Sequence, residues 1–204
     1  MTRGGLTVRI ATAVVVATVL VLVTGCSSPD DDLGQGGDSY VSGDGTVSEF
    51  AIGDRGEPIE FTGETDTDET VTAEQYRGQV LVVNFWYAAC PPCRVEAPWL
   101  EELSQQFADD GVQFLGVNVR DSAATAQAFA TSFGITYPSV IDTDGAVAIA
   151  FTGLASPTAV PTTVVLDRQG RPASRIVGLI DKNVLEALIE AALADPPFQS
   201  GGIH

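Results

Sequence analysis

The sequence predicts an α/β fold: a mixed central β-sheet with helices on both faces and an N-terminal β-hairpin extension. Three observations carry this. Residues 80–86, Val-Leu-Val-Val-Asn-Phe-Trp, form a continuous apolar run of the kind found in a strand covered on both faces. Beyond it, strand-like and helix-like patterns alternate as far as Phe151. The chain then closes with two apolar segments around a turn at residues 167–170 and a final amphipathic stretch, the pattern of an antiparallel hairpin followed by a helix.

Taken in order, residues 58–62 and 70–72 are short and β-leaning, and the polar loop 63–69 between them predicts the N-terminal hairpin. The run 80–86 should be the central strand. After Pro91-Pro92 the residues Val95, Trp99, Leu100, Leu103 and Phe107 recur at spacings of one to four, so a helix is expected to about Asp109, with proline favoured in its first turn. Strand 112–119, helix 123–133, strand 139–141 and helix 146–151 follow. Residues 162–166 and 173–177 are the arms of the late hairpin, and Val184, Leu185, Leu188, Ile189, Ala192 and Leu193 line the closing helix. The domain so defined is 49–197, and residues 198–204 look like a disordered tail.

The chain has 204 residues, room for one ordinary domain and an appendage. Its 45% hydrophobic content can supply a core. Ten Lys and Arg stand against 27 Asp and Glu, a formal charge of -17, and Lys182 is the only lysine. No basic stripe exists to neutralise phosphates, which excludes nucleic acid as a partner. Anionic headgroups would repel such a chain, so any membrane attachment must be hydrophobic or covalent. The one histidine is His204, the last residue. A histidine triad or multi-histidine metal site is therefore excluded, and chemistry must come from cysteine, carboxylates or hydroxyls.

Arg3 and Arg9 are the only charges before Asp30, and they flank the start of an apolar run over residues 10–23 that is short of the about 20 residues needed to span a bilayer. Val23-Thr24-Gly25-Cys26 follows. The pattern resembles the lipobox of bacterial lipoproteins, although Val23 stands where leucine is commoner. It implies that residues 1–25 are a signal peptide and that Cys26 is the lipidation site, anchoring the domain on the outer face of the cell membrane. The alternative is an uncleaved anchor formed by residues 6–23. Residues 26–48, rich in Gly, Ser and Asp, are expected to be a flexible acidic tether.

Two cysteines remain, in Cys90-Pro91-Pro92-Cys93, where the buried strand ends and a helix starts. A helix N-terminus stabilises a thiolate, the attacking species in disulfide exchange. Cys90 is thus expected to be the exposed nucleophile, and Cys93, one turn in, the more buried resolving thiol. Zinc would need two further ligands that the chain does not offer, so no metal is expected. A purely structural disulfide would constrain the unfolded chain little across so short a loop.

The run from Val83 to Pro98, with Asn84-Phe85-Trp86 before Cys90-Pro91-Pro92-Cys93 and Glu96 and Pro98 after it, resembles the active-site segment of the membrane-anchored thioredoxin-like thiol-disulfide oxidoreductases, the TlpA/ResA group of the redoxin superfamily. The likeness extends from about Phe50 to Ala194 and includes Gly78, Asp167, Gly170 and Val160-Pro161-Thr162-Thr163, which looks like the family's cis-proline loop. It implies a thioredoxin-like fold in which Pro161 is cis and faces Cys90, while the Val160 backbone pairs with an extended substrate. Trp86, Pro91 and Pro92 are further expected substrate contacts. Pro98 would bend the helix.

Glu96 matches a glutamate that this group holds near its cysteine pair, which implies a role in tuning the thiols and relaying a proton; the alternative is an exposed first-turn carboxylate. Asn84 stands where thioredoxin keeps a buried Asp. Ala89 stands where most relatives have Trp, which should leave the rim around Cys90 more open.

By the same resemblance the chain reduces disulfides of oxidised exported proteins, with the haem-attachment cysteines of apocytochrome c as the most specific substrate. A membrane electron-transfer protein would re-reduce it. It is expected to act as a monomer with no cofactor beyond the redox-active pair. The rivals are a dithiol oxidase, a thiol peroxidase, weakened because Tyr87 occupies the place of the needed Thr, and a noncatalytic binding module with a structural disulfide.

Overall fold

The computed structural model describes residues 40–42, 46–156 and 158–196. The expected signal peptide, Cys26, residues 26–39 of the expected tether and the tail 198–204 lie outside the described residues.

The strands are β1 (Tyr40–Val41), β2 (Val47–Glu49), β3 (Thr62–Glu64), β4 (Thr70–Thr72), β5 (Val80–Trp86), β6 (Val112–Asn118), β7 (Ser139–Ile141), β8 (Thr162–Leu166) and β9 (Pro172–Val177). The α-helices are α1 (Pro91–Gln106), α2 (Ala123–Phe133), α3 (Ala146–Ala150) and α4 (Lys182–Ala194). Among the described residues the main sheet has seven strands in the order β1-β2-β9-β8-β5-β6-β7. β5 pairs parallel with β6 and antiparallel with β8, so the sheet is mixed and the apolar run is central, as expected. All seven residues of β5 are buried, because both faces are covered.

Alternation along β5 divides the core. Leu81, Val83 and Phe85 pack on one face with Ile59, Phe61, Val147 and Phe151. Val80 and Val82 pack on the other with Leu100 and Leu103 of α1 and Leu185 and Ile189 of α4. Each such side chain contributes roughly 1.5 to 3 kcal/mol on leaving water. Asn84 and Trp86 share the α1 face by period, which directs them at the start of that helix.

Two expectations are corrected here. Residues 40–41 and 47–48, assigned to the tether, are strands: β2 pairs antiparallel with β9, and β1 with β2. Their composition holds little to bury, but β9 offers an edge whose backbone groups they complete, and pairing of that kind is independent of side-chain polarity. The N-terminal hairpin exists, but its first arm is Thr62–Glu64 rather than 58–62. Ile59 and Phe61 do enter the core, while their backbone bonds go elsewhere: Ile59 N–H donates to Gly170 and Phe61 C=O accepts from Ala73.

The register places the site. Trp86 lies opposite Asn118 on β6, and Phe85 lies opposite Thr162 at the start of β8. The loop entering β8 is thereby brought to the end of β5, where α1 begins. At the opposite end, the wholly buried Asp167 accepts from Arg55 Nη1 and Arg171 Nε at 3.0 and 2.9 Å and from the N–H groups of Gln169 and Arg171. Arg55 also pairs with Asp195, so this cluster ties the N-terminal segment to the late hairpin and the end of α4.

Candidate active site

Strand β5 ends at Trp86, and Cys90 caps α1. Pro91 and Pro92 occupy the first two helical positions, where a missing N–H is harmless and the fixed φ suits the helix. The consequence is electrostatic. The first N–H the helix can offer is that of Cys93, and it donates to Cys90 Sγ at 3.2 Å. Cys90 and Cys93 are joined as a disulfide with Cα atoms 5.3 Å apart.

The pair is less open than expected. Cys90 is 1% exposed and Cys93 2%, so Cys90 is not the exposed member. Ala89 is exposed, while Cys90 lies in the buried cluster that holds Cys93, Ala97, Ala126 and Phe129. Half-buried Tyr87, Ala88 and Val160 pack against that cluster, to which α2 contributes Ala126 and Phe129. Trp86, expected to contact substrate, is buried with its ring 4.4 Å from that of Phe129, because β5 turns it inward against α2. Pro91 is exposed and Pro92 half-buried beside the disulfide. Pro98 lies inside α1 on its exposed side.

The Val160–Pro161 peptide is cis. Val160 packs against the cluster that holds the disulfide, so the two sequence motifs, separated by some seventy positions, meet in space. Among the described residues the backbone of Val160 makes no hydrogen bond.

Glu96 is wholly buried, which removes the exposed-carboxylate alternative. Its Oε1 accepts from Asn84 Nδ2 at 2.9 Å and its Oε2 from Ile180 N–H at 3.1 Å. Burial pushes its pKa up to about 7, against the lowering effect of the hydrogen bonds from Ile180 and Asn84. Asn84 also donates to Thr163 Oγ1 at 3.1 Å, linking α1 to the strand that follows Pro161. A cavity of about 10 Å³, large enough for about one water, is lined by Asn84, Trp86, Cys93, Tyr137 and Ser139. Burial, with Glu96 and Glu101 adding, drives the Tyr137 hydroxyl above its ordinary pKa. Sequence reasoning saw in Asn84 only a missing acid; its role as donor to Glu96 and Thr163 went unseen, although a lone amide in an apolar strand was the available signal. Among the described residues, no group of three or more His, Cys, Asp or Glu side chains converges as metal ligands would.

The AhpC/TSA family matches residues 55–171, more than half of the chain. The chain belongs to the AhpC/TSA family. Within it the relatives fall in the TlpA/ResA group. Thiol-disulfide oxidoreductase ResA of Geobacillus kaustophilus is 35% identical over 116 residues, 57% of this chain and 64% of that protein. Thiol:disulfide interchange protein HelX of Rhodobacter capsulatus is 37% identical over 117 residues, 57% of this chain and 62% of that protein. The chain thus spans somewhat less than two thirds of the length of these relatives. The crystal structure of a DsbF homologue from Corynebacterium diphtheriae superposes with a TM-score of 0.65 at 31% identity, covering 77% of this chain and 99% of that one. The fold is thioredoxin-like, as expected.

Proposed function

We propose that this AhpC/TSA family member is an extracytoplasmic, membrane-tethered thiol-disulfide oxidoreductase that reduces disulfides of exported proteins through Cys90 and Cys93. The observation that carries this is a disulfide at the head of α1 in one cluster with Val160 of the cis Val160–Pro161 peptide, where among the described residues the Val160 backbone makes no hydrogen bond. In the dithiol form, the Cys90 thiolate attacks a substrate disulfide, forming a mixed disulfide and releasing one substrate thiolate. Cys93 gives up its proton and attacks Cys90 Sγ, which closes the intramolecular disulfide and releases the second substrate thiolate. Two electrons and two protons pass to the substrate, and a membrane dithiol donor restores the pair. An extended substrate segment would pair with the Val160 backbone by strand addition, with Pro91 and Pro92 beside it.

Glu96 supports resolution. A carboxyl group with a pKa near 7 is poised to exchange a proton at neutral pH, and Asn84 connects it to the cavity that Cys93 lines. The direction of flow is supported by Pro91-Pro92: with only the Cys93 N–H on its sulfur, the Cys90 thiolate gains little of the stabilisation that makes a strong oxidant. Haem-attachment cysteines of apocytochrome c are the specific substrate class that the TlpA/ResA kinship favours. Membrane tethering rests on Cys26.

Equilibrium titration against dithiothreitol and glutathione tests the direction. The potential should lie nearer the about -270 mV of thioredoxin than the about -120 mV of DsbA, and a value at the oxidising end overturns the reductase reading. Insulin reduction should disappear in Cys90→Ser; turnover surviving that change removes the pair from the chemistry.

A further inference from the structure

We infer that Asp121 is a positioning residue for the exchange reaction: its carboxylate holds the turn that sets Cys90 at the head of α1. The inference rests on the exchange chemistry proposed above and goes beyond it to the residue that places the reacting sulfur.

Between β5 and α1 the chain turns through residues 87–90, with Cys90 N–H donating to Tyr87 C=O at 3.1 Å. The turn is gripped at the Ala88 peptide from both sides. Ala88 N–H donates to Asp121 Oδ2 at 2.6 Å, a charge-assisted bond and the strongest contact the turn makes. Ala88 C=O accepts from Arg94 Nη1 at 3.3 Å. The Arg120 guanidinium lies 4.2 Å from the centre of the Tyr87 ring, so consecutive residues of one segment hold consecutive residues of the other.

Asp121 is itself fixed. Its Oδ2 also accepts from Asn118 Nδ2 at 2.9 Å, and Asn118 Oδ1 accepts from the N–H groups of Arg120 and Asp121 at 3.0 and 2.7 Å. Asn118 is wholly buried at the end of β6, paired in register with Trp86 of β5, and Val119 N–H donates to Trp86 C=O at 3.1 Å. The carboxylate is thus mounted on the two central parallel strands and aimed at the loop between β5 and α1.

The consequence depends on redox state. In the oxidised protein the S–S bond ties Cys90 to α1. In the dithiol that bond is gone, and Cys90 keeps its sulfur near the Cys93 N–H only if the turn before it stays in place. Because Pro91 and Pro92 carry no N–H, no neighbouring amide can take over that contact.

Two variants separate positioning from charge. Asp121→Ala and Asp121→Asn lose the same negative charge. Only Asn can place an oxygen where Oδ2 stands and keep the bonds from Ala88 and Asn118. In the reduced variants, the pH dependence of Cys90 alkylation by iodoacetamide should lie at higher pH for Ala than for Asn. Insulin reduction should be on the order of 10-fold slower for Ala than for Asn, the scale expected when a reacting group loses its alignment. Identical alkylation profiles and identical turnover in the two variants would overturn the inference.

Alkylation needs no substrate protein. A wild-type chain that alkylates but reduces no disulfide therefore defeats the exchange reading while the Ala and Asn comparison still decides the role of Asp121. Should the Ala variant fail to fold, amide exchange in reduced wild type decides: a protected Ala88 N–H supports the clamp, and one exchanging at the rate of an open loop overturns it.

Discussion

Replacing Glu96 by Gln tests whether the buried carboxyl group is neutral in the native state at low pH. The pKa of Glu96 rises from 4.5 to about 7 because burial disfavours its charged form. A folded-state value above the unfolded one means that the protonated group contributes stability fully below about 4.5, and that this contribution is lost as pH rises through about 7. Integrated between pH 5 and pH 8, the loss is roughly 2 to 3 kcal/mol.

Gln cannot ionise and suffers no such loss. Its oxygen can accept from Ile180 N–H, and its amide can donate to Asn84 if that amide turns over and the Thr163 hydroxyl rotates to suit. Thermal unfolding of the oxidised proteins is the assay, so that neither thiol titrates. At about 2 to 4 °C per kcal/mol for a domain of this size, Tm of the Gln variant relative to wild type should rise by about 5 to 10 °C between pH 5 and pH 8. An offset that is the same at both pH values would refute the reasoning, since only an ionising Glu96 makes it grow.

Two further outcomes follow from packing. A Cβ at Gly116 would stand 2.1 Å from Ser139 Oγ and 2.8 Å from Trp86 Nε1, so Gly116→Ala should lower the free energy of unfolding in urea by about 1 to 3 kcal/mol and alter tryptophan fluorescence; an unchanged unfolding free energy would mean that β7 yields freely. Asp167→Ala strips the buried acceptor from Arg55 and Arg171 and should cost about 3 kcal/mol in denaturant unfolding, the low end for a broken buried pair because Arg55 keeps Asp195. A loss below about 1 kcal/mol, the range of surface pairs, would show that the cluster is not a tie.

What was legible in the chain was whatever neighbours along it decide. The apolar run 80–86, the helical spacing after Pro91 and the alternation of elements to the closing helix are local periodicities, and the strands and helices stand within a few residues of them. The dithiol at a strand-to-helix junction is local as well: Cys90 caps the helix because two prolines follow it. Strands β1 and β2 were hidden because their stability resides in the edge of β9, which their own polar residues do not announce.

The same division runs through the site. Cys90, Cys93 and Glu96 share one turn and a half of one helix, so their proximity could be read directly. Their environment could not. The buried cluster that holds Cys90 takes side chains from α2 and from Val160, Glu96 accepts hydrogen bonds from Asn84 and Ile180, and the acceptor for Ala88 comes from Asp121. Short-range geometry is written in residue order because helix and strand periods are properties of a few consecutive residues. Burial, pKa and the fixing of a loop depend on which distant segments the sheet brings together, and only the folded chain specifies that.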